Sequence, residues 1–256
     1  MQKIYFASDF HLGLNAKTSS KEREKLLVNW LDEISDDASH IYLVGDLFDF
    51  WFEHKYTVPK GFTRFLGKLG ELKDKGITIE AFTGNHDMWM FGYLEEELGI
   101  PIHRSPITRE FYGKKYLIGH GDGLGPGDHG YKFLKKVFAN KFCQWLFARL
   151  HPNLSFYMAQ FWSGKSRISN ASPDHFLGES DEWLVQYCKD HLTKEHIDVF
   201  IFGHRHLPID FYFQENKSRY INLGDWLRYN TYLVIDAENS TLLSYKTDAE
   251  IYTNKI

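Results

Sequence analysis

The stretch Val199–His206 reads VFIFGHRH: four apolar residues, a glycine, then two histidines around an arginine. A short continuous apolar run reads as a strand buried on both faces. Residues i and i+2 of an extended chain share a side, so His204 and His206 can point at one spot just past the strand. Such loops are where α/β proteins keep their chemistry. Two loop histidines alone read equally well as solvated side chains, so the rest of the chain has to decide.

The same ending recurs along the sequence. KIYFAS (Lys3–Ser8) leads into SDFHLG, with Asp9 and His11 again at i and i+2. HIYLVG (His40–Gly45) leads into GDLFDFW, with Asp46 and Asp49. TIEAFTG (Thr78–Gly84) leads into GNHDMW, with Asn85, His86 and Asp87; KKYLIGHG (Lys114–Gly121) brings His120 and then Asp122. A glycine stands immediately before Asp46, Asn85, His120 and His204, where a chain without Cβ can turn sharply and approach an ion closely. One such Asp or His reads as a hydrogen-bonded structural residue. Five converging ends would bury carboxylates and imidazoles together, which is prohibitive without a metal. The donors are Asp, His and Asn with no Cys, a set suited to Mn²⁺, Mg²⁺, Fe or Zn²⁺ and unlike a structural zinc site. They outnumber what one ion needs. Two ions about 4 Å apart, bridged by a carboxylate, clamp a phosphoryl group and activate water for in-line attack.

At 256 residues the chain suits one domain, 1–256, with room for an insertion. Apolar residues at 43% and charged residues at 25% are ordinary for a soluble protein. Two cysteines are too few for a disulfide framework, so a reducing compartment is expected. The N-terminus lacks an apolar signal region and no window suits a membrane span. The expected location is cytoplasmic, with peripheral contact to the inner membrane open.

Between the strands, spacing predicts helices over Lys21–Ser35, Gly61–Lys75, Tyr93–Gly99 and Asp181–His191. The tail (Ser218–Gly224, Thr231–Ala237, Thr241–Thr247) reads as antiparallel strands. Net charge is −4, yet Tyr131–Pro173 holds no acid and seven bases: Lys132, Lys135, Lys136, Lys141, Arg149, Lys165 and Arg167. Phe133, Val137, Phe138, Phe142, Trp145, Leu146 and Leu150 recur there at helical intervals. A helical cap is therefore expected as an insertion over 127–185 of a layered α/β domain, facing an anionic partner.

The ordered motifs D-x-H, GD-x-x-D, GNHD, GH and GH-x-H resemble those of the calcineurin-like metallophosphoesterases, over Asp9 to His206. The resemblance implies a β-sandwich of two mixed sheets flanked by helices. It also implies that Asp9, His11, Asp46 and His206 hold one metal, and Asp46, Asn85, His120 and His204 a second. His86 would stabilise phosphoryl oxygens or protonate the leaving group, oriented by Asp87, with Asn85 and His204 also facing substrate. Asp49 and Asp122 would be partners of ligand imidazoles.

SDFHLG, GDLFDFW and the cap are most similar to the branch acting as UDP-2,3-diacylglucosamine pyrophosphatase in bacterial lipid A synthesis. That implies a UDP-linked diacylated sugar or other anionic phosphoester as substrate, cleaved to UMP and the lipid 1-phosphate, with Mn²⁺ as the expected ion. Asp128, Ser166 and Asn170 match its substrate contacts. Pro173 stands where it has Lys, with Lys165 or Arg167 as replacements, and His86 and Arg205 stand where it has Arg and Thr. Phe138, Phe142, Trp145, Leu146, Phe147, Phe156, Phe161 and Trp162 are candidates to line an acyl channel, with the bases meeting a diphosphate or lipid headgroups. Aromatics beside bases also suit single-stranded nucleic acid, though the resemblance leads us to expect none. A soluble phosphodiesterase or nucleotide phosphatase using the cap as a lid is the alternative. A metal-bound scaffold without turnover is a third.

Overall fold

A computed structural model describes residues 2–127, 129–159, 175–247 and 251–253. Among them two six-stranded sheets lie face to face. The first has the order β11-β10-β1-β2-β3-β4, formed by β1 (Lys3–Ala7), β2 (Ala38–Val44), β3 (Thr78–Phe82), β4 (Ile102–His103), β10 (Thr231–Ile235) and β11 (Ser240–Ser244). Strands β1 to β4 run parallel, and β10 and β11 antiparallel. The second has the order β12-β8-β9-β7-β6-β5, formed by β5 (Ile107–Phe111), β6 (Lys114–Ile118), β7 (Val199–Phe202), β8 (Pro208–Phe213), β9 (Ser218–Leu223) and β12 (Tyr252–Thr253). Both sheets are mixed, as the motifs imply.

Period-two alternation sorts the strand residues into three apolar layers. Ile4 and Phe6 of β1 face inward with Tyr42 and Val44, against Tyr116, Ile118, Val199 and Ile201 of the second sheet. Tyr5 and Ala7 face outward with Ile41, Leu43 and Ile79. That outer face is covered by α1 (Ser20–Ile34) through Leu27, Trp30 and Leu31, and by α2 (Thr63–Asp74) through Phe65, Leu69 and Leu72. The second sheet buries Phe200 and Phe202 under Leu184, Val185 and Cys188 of α6 (Trp183–Leu192). Central strands covered on both faces explain the unbroken apolar runs of β1 and β7.

Helix α3 (Tyr93–Leu98) ends at Gly99, whose φ of 62° is left-handed, as its Gly signal predicts. The acid-free stretch is not one helix. Asn140 accepts the backbone N–H groups of Phe142 and Cys143, which ends α4 (His129–Ala139) and starts α5 (Lys141–Phe147). Residues 152–159 are helical again. The expected antiparallel tail is split. β10 and β11 form a hairpin in the first sheet, whereas β9 lies in the second, parallel to β7 and antiparallel to β8. Four strands carried no usable signal. β4 and β12 have two residues each, β8 starts at Pro208, and β5 alternates between half-buried and exposed positions.

Candidate metal centre

The C-terminal ends of β1, β2, β3, β6 and β7 bring the motif side chains together. The first two loops run side by side: Asp9 N donates to Gly45 O, and His11 N to Asp46 O, both at 3.0 Å. Candidate ligand atoms of Asp9, His11, Asp46 and His206 all lie within 4.8 Å of one another, as do those of Asp46, His120 and His204. Asp46 belongs to both groups. Its Oδ2 is 3.7 Å from His11 Nε2 and 3.4 Å from His120 Nε2. His206 Nε2 is 3.4 Å from Asp9 Oδ1 and 3.3 Å from His11 Nε2.

Asp9, Asp46 and His120 are each held by one atom and leave another open. Asp9 Oδ2 accepts from His204 N at 3.0 Å, and Asp46 Oδ1 from His86 N at 2.9 Å. His120 Nδ1 lies 2.9 Å from Val44 O, and His206 Nδ1 3.2 Å from Asp225 Oδ2. The remaining atoms, Asp9 Oδ1, Asp46 Oδ2, Asn85 Oδ1 and His120 Nε2, are buried without a hydrogen bond. Unsatisfied buried acceptors are costly, and here they converge. Divalent ions are the partners that fit this all-N/O donor set.

The backbone is strained at the same places. Among the described residues, ten non-glycine positions have positive φ, and five of them are Asp9 (57°), His11 (44°), Asp46 (51°), His204 (65°) and His206 (55°). Each costs about 1–3 kcal/mol. The i, i+2 histidines therefore reach the two adjoining ligand groups through two left-handed turns, not by continuing the strand. Arg205 between them turns away, buried against Glu182. Its Nε donates to Glu182 Oε1 at 2.7 Å, and its Nη2 to His175 O at 3.0 Å.

Glycine makes room at three ligands, with Gly45 doing so beside His120. A Cβ on Gly84 would strike Asp46 Oδ1, and one on Gly203 would strike Asp9 Oδ2. Gly84→Ala is expected to push Asp46 aside and weaken ion binding roughly ten- to a hundredfold, with the circular dichroism spectrum unchanged. Titration of Mn²⁺ into the stripped variant measures it, and wild-type affinity would refute the crowding argument.

Electrostatics follow from burial and mutual contact. Burial alone would raise Asp46, yet His120 and its neighbours hold it well below the usual carboxylate range. Burial alone would lower His120, but the Asp46 carboxylate brings it up to about 10. His86 is pushed down to about 4 by burial, and so is His204, where the charge of His120 adds to the effect. Both rings are therefore neutral near neutral pH.

Several expected partners differ. Asp87 does not orient His86. It is fully buried and accepts the backbone N–H groups of Gly84, Leu47 and Phe48, shaping the turn that carries Asn85. Asp49 takes the orienting position instead, with its carbonyl 3.1 Å and its Oδ1 3.7 Å from His86 Nδ1. Asp49 Oδ1 is also 3.5 Å from His11 Nδ1. Asp122 faces α4, where Tyr131 Oη and Lys135 Nζ each lie 2.6 Å from its Oδ2. Sequence reasoning missed Asp225, which backs His206. Its signal was Gly224-Asp225 after β9, the same Gly-Asp pair that follows β2. Asp128, Lys165, Ser166, Arg167 and Asn170 lie outside the described residues, as do Phe161, Trp162 and Pro173.

The cap aromatics divide into two sets. Phe138, Phe147 and Phe156 pack on Phe50, Phe52 and Trp89 of the metal-bearing loops, with ring centroids 4.8–5.2 Å apart for the Phe52–Phe147, Trp89–Phe147, Phe50–Phe156 and Trp89–Phe138 pairs and 5.4 Å for Phe52–Trp89. Phe142, Trp145 and Leu146 are exposed. No helix among the described residues is long and apolar enough to cross a membrane.

Known proteins share this pattern. The family model described as calcineurin-like phosphoesterase matches residues 2–208. The chain is 40% identical over 255 residues to a UDP-2,3-diacylglucosamine hydrolase of Porphyromonas gingivalis, covering 94% of this chain and 97% of that one. A protein of the same name from Aeromonas salmonicida is 28% identical over 90% of this chain and 88% of its own. Among solved structures, the phosphoesterase Yfce of E. coli aligns over 95% of this chain and 93% of its own, with 15% identity and a TM-score of 0.47. A sandwich whose strand ends gather unpaired metal-ligand atoms, under a family match spanning all five motifs, places the chain: it belongs to the calcineurin-like phosphoesterase family and is a metal-dependent hydrolase.

Proposed function

We propose that the chain hydrolyses the diphosphate of UDP-2,3-diacylglucosamine, giving UMP and 2,3-diacylglucosamine 1-phosphate. The observation that carries this reading is the pairing of two ligand groups that share Asp46 with a basic, aromatic cap seated on the loops beside them. The relatives named for that substrate support it. The cap would be the insertion over 127–185 of a single domain.

Asp9, His11, Asp46 and His206 would hold one divalent ion and Asp46, Asn85, His120 and His204 another, with Mn²⁺ the best fit to mixed carboxylate and imidazole donors. When bound, the ions supply neutralisation of the diphosphate and an acidified water. The protein's own groups do the rest. With Nδ1–H donating to Asp49 O, neutral His86 keeps Nε2 to exchange a proton at the reacting phosphate. Phe138, Phe147 and Phe156 with Phe50 and Trp89 offer an apolar wall for acyl chains next to that phosphate. Asp128, Lys165, Ser166, Arg167 and Asn170 remain the proposed contacts to the sugar and diphosphate.

The outer cap surface suits an anionic membrane. Phe133, Phe142, Trp145 and Tyr157 are each more than half exposed, and Lys132, Lys136, Lys141 and Arg149 lie among them in the sequence. Apolar anchors with basic neighbours bind such interfaces. The proposed location is the cytoplasmic face of the inner membrane.

The test is Mn²⁺ add-back to the metal-stripped protein, with UMP release from the diacylated substrate compared with UDP-N-acetylglucosamine and a chromogenic phosphodiester. Release from the diacylated compound alone is expected. Equal or faster turnover of the soluble compounds would overturn the substrate assignment and leave the hydrolytic core standing.

A further inference from the structure

The first ligand loop makes demands that the sheets do not meet. Asp9 and His11 both have positive φ, so the chain leaves the β1 ladder at the point where its ligands begin. Its N–H groups find partners in the second loop: Asp9, His11 and Leu12 donate to the carbonyls of Gly45, Asp46 and Leu47. The carbonyls of Phe10 and Leu14 take no backbone N–H among the described residues, and that of His11 takes only the Leu14 N–H, at 3.1 Å; a side chain is left to serve them, since a buried C=O without a donor is costly.

One buried side chain supplies them. Arg23, in the first turn of α1, is 1% exposed. Its Nε donates to Phe10 O at 2.7 Å, and its Nη2 to His11 O at 2.7 Å and Leu14 O at 2.6 Å. The flanking carbonyls are fixed by other means: Asp9 O accepts from Trp226 N, and Leu12 O from Asp49 N. A planar guanidinium holds three carbonyls in one fixed arrangement, which an ammonium on a flexible stem does not.

We propose that Arg23 is the positioning residue of the first ligand loop. By clamping the carbonyls within and just after the Asp9–His11 turn, it sets the direction in which those two side chains meet an ion. The assignment rests on the two-ion reading above. It adds that the two ligand groups are built differently, because only the first depends on α1.

The neighbouring residue provides a matched control. Glu24 is also buried, but its Oε1 accepts the N–H groups of Arg64 and Phe65 at the start of α2, away from the ligand loop. Losing that contact loosens the helical layer without touching Asp9 or His11.

The experiment titrates Mn²⁺ alone into metal-stripped full-length wild type, Arg23→Lys, Arg23→Met and Glu24→Ala, with Tm recorded for each. Arg23→Lys and Arg23→Met are expected to weaken one of two ions roughly ten- to a hundredfold and leave the other within about threefold. Glu24→Ala is expected to lower Tm without changing either affinity. His206 serves the first group alone, so Arg23→Lys added to His206→Ala should weaken the remaining ion no further. If Arg23→Met does not fold, Arg23→Lys decides, because it keeps the charge and loses the fork. Equal weakening of both ions, or the same weakening in Glu24→Ala, would make Arg23 a general structural residue and overturn the assignment. Two ions bound at wild-type affinity in both Arg23 variants would overturn it as well. A wild type that takes up a single ion would overturn the two-ion reading and this assignment together.

Discussion

Asp46→Ala is expected to lower phosphoester hydrolysis by at least about a thousandfold, or ~4 kcal/mol of transition-state stabilisation. Both groups of ligands share this carboxylate, and its Oδ2 stands between His11 Nε2 and His120 Nε2. Its Oδ1 also fixes the His86 backbone through the His86 N–H. Removing it therefore disturbs both ligand groups and the imidazole beside them in one change. The loss should appear in metal content, measured by mass spectrometry on the purified variant, as well as in kcat. Losing His206 alone should spare one group, so His206→Ala should retain more metal than Asp46→Ala. Near-normal turnover by Asp46→Ala would falsify the shared-carboxylate account of the centre.

Arg205→Thr is expected to lower the melting temperature by roughly 10 °C, from about 3–5 kcal/mol of destabilisation spread over a chain of this size. The guanidinium is 1% exposed and Glu182 fully buried, so the variant leaves a carboxylate in the interior without its counter-charge. The contact lies between two ligand histidines and reaches the start of α6, where the chain returns from the cap. Glu182→Gln in the Arg205→Thr background should recover most of the loss, because it removes the orphaned charge. Thermal melts in excess chelator separate this effect from metal binding. A shift under about 2 °C, or no recovery in the double variant, would show that the pair is not a mutual counter-charge.

Much of the centre was legible because its chemistry is local in sequence. Asp9 and His11, Asp46 and Asp49, and His204 and His206 each stand within a few residues of a strand end, so an apolar run followed by polar donors exposes them. The order of the motifs then implied two mixed sheets. What stayed hidden depends on contacts distant in sequence. Asp87 stands next to His86 in the sequence and is its expected partner; that Asp49 takes the place depends on how the second and third loops pack. Arg205 looked like a departure in the site until the fold brought Glu182 beneath it. Arg23 lies on an amphipathic helix with no motif, and only the positive φ of Asp9 and His11 creates the carbonyls it serves. Strands β4 and β12 are too short to show a period, and β9 reads like β10 although the two belong to different sheets.

Each proposed ion draws ligands from both halves of the sandwich. The first joins Asp9, His11 and Asp46, after β1 and β2, to His206, after β7; the second joins Asp46 and Asn85 to His120 and His204. Such an ion fastens one sheet to the other at the rim where the strained turns lie. Binding to the folded chain alone adds stability by mass action, about 2.7 kcal/mol at a hundredfold excess over Kd. The resistance of this fold to unfolding is then set partly by the free metal around it, and a cell's metal supply would govern how long the protein lasts as well as how fast it works.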